Sequence, residues 1–282
     1  MAKSLSTVCV SGFLFNLYSL ALNSIHLRKF SAETTYSSHV SMSEKVKIII
    51  PARLGAQRLP GKPLMDIQGK PMVIRVAEKC IAAIGKEKVI VSTPDAEIAD
   101  ACNKYGVNFV RSSIDCLSGT DRLFEFMQLC DDQLVVNVQG DEPMIPVSVV
   151  KDFYAKVTMI NQTCVGVSQI FDETYVKSHS VVKVAVSNDT LVYASREAIG
   201  GVGRGAERTY FKHTGLYSFT RSDIIKFGES ERGSLEQAEN VEILRLIERG
   251  ISVKAVEVPN YGRAVDTVKD FEFVNKYGKF ED

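Results

Sequence analysis

From Val46 onwards the chain alternates short apolar runs with amphipathic segments, and this alternation restricts the fold more than any other feature. VKIIIP (46–51), KVIVST (88–93) and QLVVNVQ (133–139) are short, mostly apolar runs, as expected for strands that are buried on both faces. Residues 71–84 between the first two runs carry apolar side chains at helical spacing and are followed by a glycine. Strands that alternate with helices form a parallel sheet covered on both faces. The sequence therefore predicts a three-layer, Rossmann-like α/β fold with a mostly parallel sheet.

After residue 151 the pattern changes and becomes rich in β-strand signals. Residues 163–170 and 210–220 read as strands, and 181–195 as a hairpin that turns at Asn188-Asp189. We expect this part to be a β-rich insertion in the same compact unit.

The C-terminal region returns to helical and strand patterns. A helix is predicted over 235–250, a strand over 251–258 and a last helix over 267–277, which opens with a capping box from Thr267 to Asp270. We therefore assign 45–282 to one domain.

Residues 1–44 are excluded from that domain. They are rich in serine, and the apolar stretch 8–22 is shorter than the roughly 20 residues that a membrane-spanning helix needs. Two interpretations stay open: an organellar presequence within 1–41, or translation that begins at Met42.

Charge and cysteine usage exclude several classes of protein. Thirty-four basic residues balance thirty-four acidic ones, which gives no support for nucleic acid as a general partner. The six cysteines form no CxxC pair, so reduced thiols in a cytosol-like compartment are expected rather than disulfides or a zinc site. Any anion must be bound by a local cluster of cations.

One such cluster follows the first strand, where Arg53, Arg58 and Lys62 lie within ten residues. The segment GAQRLPGK resembles a P-loop but fails as one, because five residues separate its glycines and Pro63 stands where Ser or Thr would bind magnesium. Arginine and lysine suit phosphate contacts. The loop is predicted to bind a polyanion, although a solvated basic surface loop would look similar.

Acidic residues follow another buried strand, in VVNVQGDEP (135–143). Because ligands of parallel sheets bind at the carboxyl ends of the strands, the two loops should face one crevice. Asp141 there, with Asp266 as a second candidate, is expected to hold Mg²⁺ together with phosphate oxygens. Both acids also fit a simpler interpretation as turn or helix-start residues.

Six ordered blocks resemble the CMP-Kdo synthetases, the 3-deoxy-manno-octulosonate cytidylyltransferases. The blocks run from residue 46 to the C-terminus: IIIPARLGAQRLPGKPL, SGTDRL, VNVQGDEPMIP, YFKHTGLYSF, LEQ-AE and AVDTVKDFE. The resemblance implies a nucleotidyltransferase fold whose insertion serves sugar binding and dimerisation. It also implies the reaction of CTP with Kdo to CMP-Kdo and pyrophosphate, with Mg²⁺, for lipopolysaccharide biosynthesis.

The resemblance also assigns site residues by position. Catalytic roles on the CTP phosphates fall to Arg53, Arg58 and Lys62, and the metal to Asp141 and Asp266. The remaining nucleotide contacts are Pro51, Ala52, Ser118, Gly119, Thr120 and Gln139. The sugar contacts are Arg196, His213, Tyr217, Glu236 and Gln237, with Arg196 implied as the partner of the sugar carboxylate.

The resemblance leaves other points open. It implies a homodimer in the bacterial cytoplasm, with an organelle as the alternative if 1–41 is a presequence. The loop after Ser195-Arg196, 199–206, is shorter and richer in glycine than is usual in the family. Two alternative functions remain: a CMP-sugar synthetase for another 2-keto-3-deoxy acid sugar, and a noncatalytic nucleotide-binding protein.

Overall fold

The computed structural model describes residues 45–55, 59–199, 209–262 and 264–280. The predicted extension 1–44, Arg58 and the glycine-rich stretch 200–206 lie outside the described residues.

Strands and helices follow one another as the sequence predicts through the first half of the chain. The strands are β1 (Val46–Pro51), β2 (Asp66–Ile67), β3 (Lys70–Pro71), β4 (Val89–Thr93), β5 (Phe109–Arg111), β6 (Leu134–Val138), β7 (Cys164–Ile170), β8 (Lys183–Ser187), β9 (Thr190–Ser195), β10 (Tyr210–Thr220) and β11 (Lys254–Glu257). The helices are α1 (Met72–Ile84), α2 (Ala96–Tyr105), α3 (Gly119–Gln128), α4 (Val147–Ile160), α5 (Glu173–Lys177), α6 (Arg221–Gly228), α7 (Ser234–Glu239), α8 (Leu244–Glu248) and α9 (Val268–Tyr277). Short 3₁₀ turns lie at Lys62–Leu64 and Lys86–Lys88.

The central sheet has nine strands in the order β5-β4-β1-β6-β10-β7-β11-β9-β8. Strands β5, β4, β1 and β6 are parallel, which confirms the predicted sheet for this part. The expectation of a mostly parallel sheet is wrong for the rest, because β10 runs antiparallel to both β6 and β7. The sheet is therefore mixed.

The β-rich half curls back on itself. Strand β10 pairs with β8 as well as with β7, and β7, β11, β9 and β8 pair in turn, so these five strands form a ring. The hairpin turn between β8 and β9 is confirmed, since Asn188 and Asp189 have φ of 50° and 54°. Strands joined by a tight turn pair antiparallel, as β8 and β9 do.

Side chains of β1 show how the layers form. Ile48 and Ile50 pack into a core with helices α1, α2 and α4, whereas Ile49 packs into a second core with α3, α6 and α8. Successive residues of a strand face opposite sides of the sheet, so a strand covered on both faces must be apolar throughout. The predicted three layers are confirmed.

The predicted helix 235–250 is wrong as a single helix. It is broken into α7 and α8 at Asn240, which has φ of 52° and ends α7 in the left-handed conformation. Asparagine adopts this conformation more readily than most residues. The capping box at Thr267 is present as predicted. None of the helices in the described ranges is long and apolar enough to cross a bilayer.

Candidate active site

Lys62 lies between two carboxylates at the carboxyl ends of the parallel strands. Its Nζ is 2.7 Å from Oδ2 of Asp141 and 3.7 Å from Oδ1 of Asp266, and it donates to the carbonyl of Val265 at 2.9 Å. The three side chains are only 15%, 25% and 26% exposed. The expected meeting of the basic and the acidic loop is therefore confirmed in its central pair, Lys62 and Asp141.

Backbone contacts fix the loop that carries Lys62. Gly61 has φ of 70°, a conformation that side chains disfavour, and its amide donates to the carbonyl of Leu54 at 3.1 Å. The amide of Leu54 in turn donates to Oδ2 of Asp95, at the start of α2, at 2.8 Å. Arg53 is exposed in this loop. The loop thus returns to the sheet edge and presents Lys62 there.

Asp141 and Asp266 are brought together by a main-chain contact. The amide of Val265 donates to the carbonyl of Asp141 at 2.9 Å, so the chain before α9 runs beside the turn after β6. Asp141 and Asp266, which are distant in sequence, therefore lie close together beside Lys62.

The two carboxylates fit a magnesium ion. Both already approach a single cationic atom, and their oxygens are the hard donors that Mg²⁺ prefers. Magnesium usually takes only one or two protein carboxylates and completes its shell with phosphate oxygens and water. Asp141 and Asp266 are the residues that would hold it.

A cavity of about 550 Å³ opens beside these carboxylates. Its lining includes Asp141, Glu142, Asp266, Arg196, Lys212 and His213. Burial, reinforced by the charge of Asp141, raises the pKa of Glu142 to about 8. Gly215 faces this carboxylate so closely that a Cβ there would lie 2.9 Å from Cγ of Glu142. The cavity thus combines cations with a buried acid that holds its proton near neutral pH.

The predicted base-reading residues form the N-terminal turn of α3. Ser118 and Asp121 make a capping box, and Thr120 donates from both its amide and its hydroxyl to Oε2 of Glu242. Gly119 adjoins Pro51 and Gln139, because a Cβ there would lie 3.2 Å and 3.8 Å from their side chains. Ala52 is buried at the end of β1. These predicted residues are thus neighbours, but the two hydroxyls of the turn are already bound within the protein.

His213 and Tyr217 lie together on β10. Nδ1 of His213 is 3.1 Å from the hydroxyl of Tyr217 and 3.0 Å from the carbonyl of Thr214. Burial lowers the pKa of His213 and raises that of Tyr217, so both are held neutral. His213 lines the cavity, as a sugar contact requires.

Arg196 also lines the cavity, but it is firmly held by the protein. Its Nε and Nη2 donate to the carbonyls of Glu239 and Asn240, and its Nη1 to that of His179. Its amide donates to the carboxylate of Glu239 at 2.9 Å. Arg196 therefore ties together the backbone at residues 179, 239 and 240. Its contact with a sugar carboxylate stays a prediction.

Glu236 and Gln237 lie outside the group that lines the cavity. Glu236 is 1% exposed and bonds Arg245 at 2.6 and 2.7 Å, while Gln237 is exposed and donates to the carbonyl of Arg232. Glu236 is therefore the acidic partner of a buried ion pair with Arg245. Their predicted contact with the sugar stays a prediction without support from this geometry.

Sequence reasoning missed three buried or bridging polar residues at the site. They are Glu142, which follows Asp141 directly, Glu242, which bonds Thr120, and Lys183, which is 1% exposed and donates to the carbonyls of Ser178, Val181 and Arg196. Only Glu142 had a signal in the sequence, as the second acid of the turn after β6. The partners of the other two are distant in sequence or are backbone atoms.

Comparison with known proteins finds one family. A family model described as cytidylyltransferase matches residues 47–255. A 3-deoxy-manno-octulosonate cytidylyltransferase of Lawsonia intracellularis is 35% identical over 231 residues, which cover 80% of this chain and 91% of that protein. An 8-amino-3,8-dideoxy-manno-octulosonate cytidylyltransferase of Shewanella halifaxensis is 35% identical over 233 residues, covering 80% of this chain and 95% of that protein.

Solved structures agree with these relatives. A CMP:2-keto-3-deoxy-manno-octonic acid synthetase complexed with CTP has a TM-score of 0.76 and 34% identity, and the match covers 82% of this chain and 97% of that one. A glucose-1-phosphate thymidylyltransferase from Bacillus anthracis, described as putative in its own name, has a TM-score of 0.60 at 15% identity over 84% of this chain and 98% of that one, which indicates a shared fold alone.

Proposed function

Because this chain belongs to the cytidylyltransferase family, we propose that it transfers CMP from CTP to 3-deoxy-D-manno-octulosonate (Kdo), giving CMP-Kdo and pyrophosphate. Relatives named for this reaction match about four fifths of the chain. The observation that carries the proposal is Lys62 held between Asp141 and Asp266 at the carboxyl ends of the parallel strands. Cations and carboxylates at one point are what a metal-bound triphosphate requires.

In this reaction a hydroxyl oxygen of the sugar bonds to the α-phosphorus of CTP, and the bond to the β-phosphate oxygen breaks. The hydroxyl proton is released, and pyrophosphate leaves. Such a transfer depends on positioning and on neutralisation of charge rather than on a covalent intermediate. Lys62 and Arg53 supply positive charge to the phosphates, and Arg58 is assigned the same role.

Asp141 and Asp266 would hold Mg²⁺ in the working enzyme. When bound, the ion neutralises phosphate charge and favours the ionised form of the attacking hydroxyl. Lys62 already lies within 4 Å of both carboxylates, so the protein carries its charges at the reaction centre before substrates arrive.

The sugar fits the cavity beside the carboxylates. A volume of about 550 Å³ accommodates an eight-carbon sugar acid, and the lining offers Lys212 and Arg196 for its carboxylate. Gly119 and its neighbours at the ends of β1 and β6 are the proposed site for the cytosine.

The proposal is tested by pyrophosphate release from CTP in the presence of Mg²⁺ and each candidate sugar. Release with Kdo, and much slower release with UTP, would support it. Faster release with the 8-amino sugar than with Kdo would assign the chain to the second group of relatives, which match it equally well. No release with either sugar would favour the noncatalytic nucleotide-binding protein.

A further inference from the structure

The N-terminal turn of α3 is held by a carboxylate from a distant segment. Oε2 of Glu242 accepts from the amide of Thr120 at 3.0 Å and from its hydroxyl. The amide of Asp121 is bound by the Ser118 hydroxyl at 3.2 Å. Of the first three amides of α3, that of Gly119 is therefore the one without a partner among the described residues.

The Glu242 carboxylate changes which ligand groups the N-terminus of α3 favours. A free helix N-terminus favours phosphate, because its amides and its dipole both suit an anion. In this protein Glu242 already places a negative charge at that end, which opposes a second anion. The cations assigned to the phosphates, Lys62 and Arg53, lie on the loop after β1.

The segment that carries Glu242 makes a second contact with the same turn. Arg245, three residues on, places Nη1 3.4 Å from Oδ1 of Asp121 and bonds the buried Glu236 with its other nitrogens. Residues 242–245 thus contact two consecutive residues of the α3 turn, Thr120 and Asp121. Glu242 is half-buried against the turn and bonds two atoms of Thr120.

We propose that Glu242 is a positioning residue that sets the orientation of the bound nucleotide. It occupies the anion-binding end of α3, leaves the Gly119 amide for an uncharged acceptor of the base, and directs the triphosphate to Lys62 and Arg53. This inference rests on the proposed function, since it takes CTP as the nucleotide.

The test is Glu242→Gln, which keeps the size and an oxygen acceptor but removes the charge. We expect kcat and the KM for CTP to fall together by about tenfold, and the Kd for CTP measured by calorimetry to fall likewise, because a nonproductive mode with a phosphate group at α3 then adds to the productive one. Inorganic tripolyphosphate should inhibit the variant about tenfold more strongly than the wild type. The KM for Kdo and kcat/KM for CTP should change by less than about twofold.

Glu248→Gln is the matched control. Glu248 caps α7 in the same way, accepting from the amides of Leu235 and Glu236 at 2.9 and 3.2 Å, and its bonds within the described residues go to α7 rather than to α3. Loss of this charge should lower Tm without changing the CTP or the tripolyphosphate constants.

Two outcomes separate this inference from the proposed function. If Glu242→Gln lowers Tm but leaves the binding of CTP and tripolyphosphate as in Glu248→Gln, Glu242 is a structural cap and the inference is wrong. If the wild type binds CTP but transfers CMP to neither sugar, the proposed reaction fails, and calorimetry still decides the role of Glu242.

Discussion

At the scale of single residues, the site depends on one ammonium group shared by two carboxylates. Lys62 lies 2.7 Å from Asp141 and 3.7 Å from Asp266, and none of the three is fully buried. The carboxylates therefore remain accessible to a metal ion, and the ammonium to a phosphate. An ion pair that only stabilised the fold would not need side chains that remain partly exposed to solvent.

Replacing Lys62 by Met should lower kcat/KM for CTP by about 10²–10³, since loss of one well-placed charge has that effect at such centres. Asp141→Asn should act similarly. Steady-state kinetics measures the loss, and far-UV circular dichroism should show an unchanged fold. Lys70→Met is the control, because Lys70 pairs with Glu78 at 2.9 Å away from the site. A near-normal turnover of the Lys62→Met variant would show that Lys62 is not part of the catalytic site.

Glu142 should make the metal-free protein less stable as pH rises. Its pKa is raised from 4.5 to about 8, so the folded protein binds this proton more tightly than the unfolded chain does. The stabilisation is complete below pH 4.5 and is lost as pH rises through about 8.

Glu142→Gln mimics the protonated form and should escape that loss. We expect the variant to gain a few kcal/mol over the wild type at pH 9, at about 1.4 kcal/mol per unit of pKa shift, and to match it near pH 4. Urea unfolding in chelator at both pH values measures the difference. A gain that is equal at both pH values would show that burial does not perturb this carboxyl group.

At the scale of elements, the break between α7 and α8 places a buried ion pair at a junction. Arg245 of α8 bonds Glu236 of α7, stacks 3.7 Å over the ring of Phe227 in α6 and approaches Asp121 of α3. Two short helices of six and five residues would be marginal alone, so these contacts supply their stability.

Arg245→Met should destabilise the protein by about 3–5 kcal/mol, because Glu236 would be left buried without its main partner. The double variant Glu236→Leu, Arg245→Met should recover most of that loss, since an apolar pair can replace a buried ion pair. Urea unfolding of the two variants tests this. A single variant as stable as the wild type would mean that Arg232, 3.1 Å from Glu236, suffices to balance its charge.

At the scale of the whole molecule, the two parts of the mixed sheet carry different residues of the proposed site. The parallel strands β1 and β6 end at the loops that carry Lys62 and Asp141. In the ring of strands, β10 carries His213, and Arg196 directly follows β9; both residues line the cavity. The nucleotide and the sugar would therefore meet where β10 joins the two parts, beside β6.

The homodimer through the insertion stays a prediction, and it can be tested. Val192 of β9 is 54% exposed within that insertion, whereas Met159 of α4 is 86% exposed outside it. If two copies associate through the insertion, Val192→Lys should weaken the dimer and Met159→Lys should not. Sedimentation velocity over a concentration series measures both, and equal behaviour of the two variants would contradict this interface.

The parallel half of the fold could be predicted because its signals are local. Ile48, Ile49 and Ile50 form a run that only a strand covered on both faces explains, and both faces are indeed packed. Asn240 could not be recognised as a helix break, because its left-handed conformation interrupts an apolar pattern that continues across it. The mixed pairing of β10 was equally hidden, since strand direction follows from the path of the connections.

The residues of the site likewise fall into those with a local signal in the sequence and those whose contacts depend on the tertiary structure. The sequence by itself determined which residues carry charge at the ends of β1 and β6, because strand periodicity and loop composition are properties of contiguous residues. Only the tertiary structure decided which distant residues meet. Asp266 lies beside Asp141 at Lys62. Glu242 accepts from Thr120, and Glu236 pairs with Arg245 rather than lining the cavity. These contacts span up to about two hundred residues, and no local pattern encodes them, since they arise only when separate elements pack against one sheet.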